Sequence, residues 1–282
     1  MDRRIDFPLI VLTLLSLLFF VPSSLAQTGT RGGGSEGASV AGVEKTVRFD
    51  TTDGVTIVGS YYPQKQAGRP SVLLLHMLGR NRTTVAETAR HLQEEGFNVL
   101  AIDLRGHGES TQGKNGPVRV EAFLSSDYAA MDRDVDAAVK YLRDQLGEGN
   151  KLAIVGGSIG ANLALRKGAA DPDIAAVVLL SPSLDYRGIV TTDAITRYKD
   201  HPVFILTSEN DTWSYEGAKK IAEGISADKE FKVLPGRSHG TAILQSHPEI
   251  EKEVIDWLKF HLGLSKDATP PAGKAGDARP QG

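Results

Sequence analysis

The sequence predicts an α/β protein built on a mostly parallel sheet, and two observations carry the prediction. Continuous apolar runs recur at Val72–Leu75, Val99–Ile102, Leu152–Val155, Ala175–Leu180 and Val203–Leu206, as expected of strands buried on both faces. Helical patterns at Thr83–Glu95, Ser125–Leu146, Ala161–Ala170, Tyr215–Gly224 and Thr241–Leu262 separate these runs, the last closing on Trp257, Leu258 and Phe260. Such alternation implies right-handed crossovers and helices on both faces of the sheet. Ahead of it, Val43–Phe49 and Val55–Tyr62 alternate apolar and polar residues around Asp53-Gly54, which reads as an antiparallel hairpin.

One domain over residues 43–264 accounts for this pattern in a chain of 282 residues. Residues 27–42 are dominated by Gly and Ser and carry too few apolar groups to offset ordering entropy, so they read as a flexible leader. Residues 265–282, with Pro270, Pro271 and Pro280, lack hydrophobic periodicity and read as a disordered tail. No internal repeat is present at solenoid or propeller periods.

At the N-terminus, Arg3 and Arg4 precede an apolar run from Phe7 to Val21 that Pro22 breaks, and Ser24-Leu25-Ala26 supplies small residues at a cleavage site. The run of about 15 residues is shorter than the roughly 17–25 a spanning helix needs. Residues 1–26 are therefore expected to be a signal peptide cleaved after Ala26, giving a secreted or periplasmic protein. An uncleaved segment would instead tether the chain to a membrane. Zero cysteines exclude disulfides, thiolate metal sites, cysteine nucleophiles and a lipoprotein attachment point. The net charge of -3 gives no electrostatic reason to bind nucleic acid or anionic lipid, and removal of residues 1–26 takes two basic and two acidic residues together.

Gly156-Gly157-Ser158-Ile159-Gly160 follows the run ending at Val155 and opens the helix near Ala161. Nucleophilic catalysis by serine needs a sharp turn that lifts the hydroxyl above the sheet. Small residues two before and two after the serine let strand and helix close without collision. The helix N-terminus also turns free amides toward the site. Taken alone, G-x-S-x-G also fits a Gly-rich turn with an incidental serine; the strand before it and the helix after it are what make it informative.

Three further segments extend the likeness over nearly all of residues 43–264. These are Leu73-Leu74-Leu75-His76-Met77-Leu78-Gly79, Asp103-Leu104-Arg105-Gly106-His107-Gly108-Glu109-Ser110 and Pro235-Gly236-Arg237-Ser238-His239-Gly240. With the serine turn they resemble the α/β-hydrolase superfamily, on its serine esterase and dienelactone-hydrolase-like side: a strand-end His-Gly loop, with Met77 where glycine is usual, a D-x-R-G-x-G-x-S turn, and the loop presenting a catalytic histidine. The resemblance implies an α/β-hydrolase fold with about eight strands, helices on both faces and a minimal lid. It implies Ser158 as nucleophile, His239 as base and an acid after the strand Val203–Leu206. By resemblance that acid is Asp211, with Glu209 in the same loop as a competitor; Asp185, after an earlier strand, reads as a solvated loop residue. The implied oxyanion donors are the main-chain amides of Ile159 and Leu78.

These readings imply hydrolysis of small-molecule carboxylic esters through an acyl-enzyme, with no cofactor. A serine nucleophile sets aside the dehalogenase and epoxide-hydrolase branches, which use aspartate there. A thioesterase, a dienelactone-hydrolase-like enzyme and a peptidase remain on the same triad, and a catalytically silent secreted binding module is the alternative of another class. His76 and His107 are expected to brace turns; His91, His201, His247 and His261 fit helix faces or turns, and none makes a metal motif. Only Ser181–His201 lies where lipase caps are inserted, enough for one short helix over Ile189–Tyr198.

Overall fold

The computed structural model describes residues 42–265 apart from Gly147, Glu148 and Asp200. The signal sequence and nearly all of the leader and tail expected above lie outside these residues.

The hairpin consists of β1 (Lys45–Asp50) and β2 (Val55–Tyr62), paired antiparallel in the register Asp50 to Thr56. Its turn needs a left-handed residue, and Gly54 supplies one at φ 81°. The parallel part of the sheet comprises β3 (Ser71–Leu75), β4 (Asn98–Ile102), β7 (Leu152–Gly157), β8 (Ile174–Leu180), β11 (Val203–Ser208) and β12 (Lys229–Leu234). Two-residue strands complete the set: β5 (Gln112–Gly113) with β6 (Gly116–Pro117), and β9 (Asp185–Tyr186) with β10 (Ile189–Val190). Along the main sheet the order is β12-β11-β8-β7-β3-β4-β2-β5-β6, with β1 also on β2. Eight strands of five residues or more form its body, as the resemblance implies.

The helices are α1 (Ala86–Glu94), α2 (Ser125–Ala129), α3 (Asp132–Leu146), α4 (Ile159–Ala170), α5 (Thr192–Arg197), α6 (Thr212–Gly224), α7 (Ala242–Ser246) and α8 (Pro248–Leu262). Successive strand residues feed two different cores. Leu73, Leu75, Ile154, Leu179 and Ile205 pack with Val139, Leu142, Leu163 and Ile221 of α3, α4 and α6. Val72, Leu74, Val155, Val178 and Leu206 pack with Leu92, Val254, Trp257 and Leu258 of α1 and α8. Two covered faces are why these strands read as unbroken apolar runs rather than alternating ones.

The structure corrects the sequence reading in four places. The pattern over Ser125–Leu146 is two helices, because Met131, Arg133 and Asp134 donate to carbonyls three residues back and tighten the chain into a turn. The pattern over Thr241–Leu262 also splits: Pro248 takes the first position of α8, after His247 at a non-helical φ −136° and ψ 79°. The short helix expected over Ile189–Tyr198 shrinks to α5, since Ile189 and Val190 form β10. Finally, β12 was not among the expected strands. It is an edge strand whose residues alternate between exposed and half-buried up to the buried Leu234, with Lys232 paired to Glu253.

Candidate active site

Ser158 stands where β7 gives way to α4, at φ 53° and ψ −115°. Such a conformation costs a residue other than glycine on the order of 1–3 kcal/mol. The fold holds it there: the Ser158 amide donates to the Leu180 carbonyl at 2.8 Å, and the Ser158 carbonyl accepts from Ala161 and Asn162 at 2.9 and 3.1 Å. The flanking glycines are a steric requirement. A Cβ at Gly156 would lie 2.1 Å from the Gly160 carbonyl oxygen, and one at Gly160 would lie 2.8 Å from the carbonyls of both Leu75 and His76. Ile159 opens α4, so its amide, like the first amides of any helix, has no acceptor within that helix.

Asp211 follows β11 and stands at the N-terminal position of α6, with no capping bond from its side chain. His239 comes from the loop after β12, and its Nδ1 lies 2.7 Å from Asp211 Oδ2. The Ser214 hydroxyl stands 3.4 Å from the same nitrogen. Burial works to raise the Asp211 pKa, but the hydrogen bond and charge of His239, with the hydroxyls of Ser181 and Ser214, bring it below the ordinary carboxylate value. The carboxyl is therefore held ionised. Its side chain is 13% exposed, against 42% for the imidazole it faces. Glu209 does not compete for this place. Its carboxylate accepts from Asn210 Nδ2 at 3.3 Å and from the Gly236 amide at 3.4 Å. Asp185 is exposed and accepts from the Gly188 amide at 3.0 Å, within the β9–β10 turn.

The histidine loop packs directly on the serine turn. A Cβ at Gly157 would lie 2.6 Å from the Thr241 amide nitrogen, and one at Gly240 would lie 3.5 Å from Ser158 Cβ. The same Cβ would lie 3.0 Å from Met77 Sδ, so the residue standing where glycine is usual packs against the histidine loop. Leu78 follows it in a turn closed by the Arg80 amide on the Met77 carbonyl at 3.1 Å. Three serines that the sequence reading did not single out fix this arrangement. Ser208 Oγ donates to the Ser238 carbonyl at 2.7 Å, Ser181 Oγ accepts from the Gly240 amide at 3.0 Å, and Ser214 flanks the Asp211–His239 bond. Ser181 and Ser208 lie at the carboxyl ends of parallel strands, the edge where ligands of open α/β sheets collect.

His76 and His107 brace turns, as expected. His76 Nδ1 donates to the Met77 carbonyl at 2.9 Å while Nε2 accepts from the Leu104 amide at 3.0 Å. Burial holds its pKa down to about 3. Protonation would point an N–H at the Leu104 N–H, so the neutral ring is the one that fits. The D-x-R-G-x-G-x-S turn is also built inward. Asp103 accepts from the amides of Arg82 and Glu109 at 2.7 and 2.8 Å and is paired with the Arg82 guanidinium. Arg105 is bound by Asp134 and Asp53, its Nε 2.8 Å from Asp134 Oδ1.

The segment after β8 is pinned to the serine helix. Asn162, one turn into α4, donates to the Ile189 carbonyl at 3.0 Å and accepts from the Ser183 amide at 2.9 Å. A second segment meets it from the other side. Between β6 and α3 the chain passes Val120 and Phe123 against Gly106, and the Arg187 guanidinium lies 5.7 Å from the Tyr128 ring centre. Trp213, next to the acid loop, is 75% exposed.

Comparison with known proteins bears on the fold. A family model described as "Serine aminopeptidase, S33" matches residues 66–198, a span that includes Ser158 but ends before Asp211 and His239. An esterase structure from Pyrococcus furiosus superposes with a TM-score of 0.65 at 22% identity, covering 78% of this chain and 93% of that one. The chain has the α/β-hydrolase fold. Among curated proteins, the chain is 30% identical over 151 residues to an uncharacterized protein of Mycobacterium tuberculosis, a match spanning 51% of this chain and 48% of that relative, about half its length. It is 28% identical to a polyketide transferase of Stachybotrys chlorohalonatus, over 79% of this chain and 76% of the relative.

Proposed function

We propose that this protein is a secreted or periplasmic serine hydrolase that cleaves carboxylic esters of small soluble molecules. Ser158 is the nucleophile, His239 the base and Asp211 the acid that orients it. The observation that carries the reading is the 2.7 Å Asp211–His239 bond, made on a loop whose next residue abuts Ser158. With Nδ1–H donating to Asp211, the imidazole keeps Nε2 as a proton acceptor. His239 takes the Ser158 proton as Oγ attacks the ester carbonyl, then delivers it to the departing alcohol. Water attacks the acyl-enzyme by the same route and releases the acid. The amides of Ile159 and Leu78 receive the negative charge that develops on the carbonyl oxygen.

Substrate size follows from the cover. Among the described residues between β8 and β11, the chain builds only the small β9–β10 hairpin and the six-residue α5. A pocket so lightly covered buries few methylenes, and each one left in water forgoes about 0.8 kcal/mol of transfer free energy. Acetate to hexanoate esters are the expected substrates, without a rate jump at a lipid–water interface. A chain-length series of chromogenic esters, run below and above each solubility limit, tests this; preference for long chains with activation above the limit would contradict it. The family match favours one second reading, cleavage of amide or peptide bonds at the same serine, so the series should include an amino-acid anilide. Export is part of the proposal, and N-terminal sequencing of material from the producing cell should begin at Gln27. Finding Met1 on membrane-bound enzyme would favour an anchor.

A further inference from the structure

We propose that Ser181 is a positioning residue for the Asp211–His239 pair, an inference that rests on the triad reading above. Ser181 is the first residue past β8 and has a positive φ of 54°, close to the 53° of Ser158. The two serines leave neighbouring strands in the same manner. The Ser158 amide donates to the Leu180 carbonyl, and the Ser181 amide donates to the Leu206 carbonyl, each at 2.8 Å. Ser158 is the proposed nucleophile at 8% exposed, and Ser181, at 1%, lies deeper.

Its hydroxyl is bound to the base loop and acts on the acid. Ser181 Oγ accepts the Gly240 N–H at 3.0 Å, and its hydroxyl helps hold the Asp211 carboxyl below the ordinary carboxylate value. One side chain thus holds the residue after His239 by a hydrogen bond and helps keep the carboxylate bonded to His239 ionised. Gly240 is a sensitive point to hold. It is itself left-handed at φ 56°, with Ser158 and Met77 packed against the space a side chain there would fill. A shift of Gly240 carries the imidazole with it, and small misplacements of catalytic groups are costly in rate. Glycine would occupy position 181 without strain, so a strained serine there has its rationale in the hydroxyl.

Strain and hydrogen bonding separate by substitution. Ser181→Gly removes the hydroxyl and relieves the backbone; Ser181→Ala removes the hydroxyl and keeps the strain. On a short-chain chromogenic ester, Ser181→Gly should melt within a few degrees of wild type and lose about tenfold in kcat, the scale of one hydrogen bond to a charged group, with KM within about twofold. In an Asp211→Asn background the same substitution should cost less than about twofold, because its partner has already been disabled. Ser181→Ala should lose a similar factor in kcat and melt lower. If Ser181→Gly keeps wild-type kcat, or costs the same factor with and without Asp211, the positioning role is wrong while the triad reading stands. If Ser158→Ala hydrolyses the ester at the wild-type rate, the triad reading fails and takes this role with it.

Discussion

Asp103 and Asp211 both stand just past the carboxyl ends of parallel strands, and they have opposite surroundings. Asp103 is fully buried, and its carboxylate is committed to the Arg82 guanidinium and to the amides of Arg82 and Glu109. The turn closes so tightly on it that a Cβ at Gly108 would lie 2.2 Å from Asp103 Oδ2. Asp211 faces a half-exposed imidazole and two hydroxyls. A guanidinium is charged at every working pH, so its partner can only hold the fold. An imidazole gains and loses a proton near neutrality, so its partner can stabilise a charge that exists only during turnover. On the proposed triad, the basicity of what each aspartate binds assigns Asp103 to the fold and Asp211 to the chemistry.

Substitution should break this comparison cleanly. Asp211→Asn is expected to lower kcat by about 10⁴-fold, since the amide no longer enforces the right imidazole tautomer, with little change in melting temperature. Asp103→Asn should do the reverse, costing about 3 kcal/mol of stability by leaving the Arg82 charge poorly compensated in a buried turn. Activity per folded molecule should largely survive. Thermal melts and steady-state kinetics on the two variants check both halves. Glu209→Gln is the control within the acid loop; a severe loss there with a mild one in Asp211→Asn would transfer the acid role.

A smaller effect comes from the buried imidazole of His76. Its pKa is held at about 3 in the fold, against 6.5 when free. Between these values the unfolded chain binds a proton that the folded chain refuses, so stability falls as the pH drops from 6.5 toward 3. Burial holds the His107 pKa down too, and its contribution has the same sign. Denaturant melts across that window should show a stability loss of a few kcal/mol. A His76→Gln variant, which has no proton to gain, should show a shallower slope.

What could be read from the sequence follows from how each element is buried. Strands β3, β4, β7, β8 and β11 were legible because both faces are covered, which turns each into an unbroken apolar run. The serine turn was legible because Gly156 and Gly160 meet a steric demand that only the smallest residue satisfies there. The edge strand β12 hid behind KEFKVL, whose charges suit a half-covered strand. The break at Pro248 went unread because apolar periodicity continues across it. Ser181, Ser208 and Ser214 left no pattern at all: a hydrogen bond from a lone serine depends on which strand ends lie side by side, and only the fold supplies that. The contacts that the segment between β6 and α3 makes with Gly106 and Arg187 left no pattern either, being set by topology.

Activation of Ser158 is the central claim, and covalent labelling measures it without knowledge of the substrate. A fluorophosphonate probe bonds to a serine whose proton is being withdrawn and leaves idle serines alone. Wild-type protein should gain one adduct by intact mass at neutral pH, mapped by peptide sequencing to Ser158. Ser158→Ala should gain none, and His239→Ala should label far more slowly. An unlabelled wild type, or an adduct on another serine that persists in Ser158→Ala, would contradict the account.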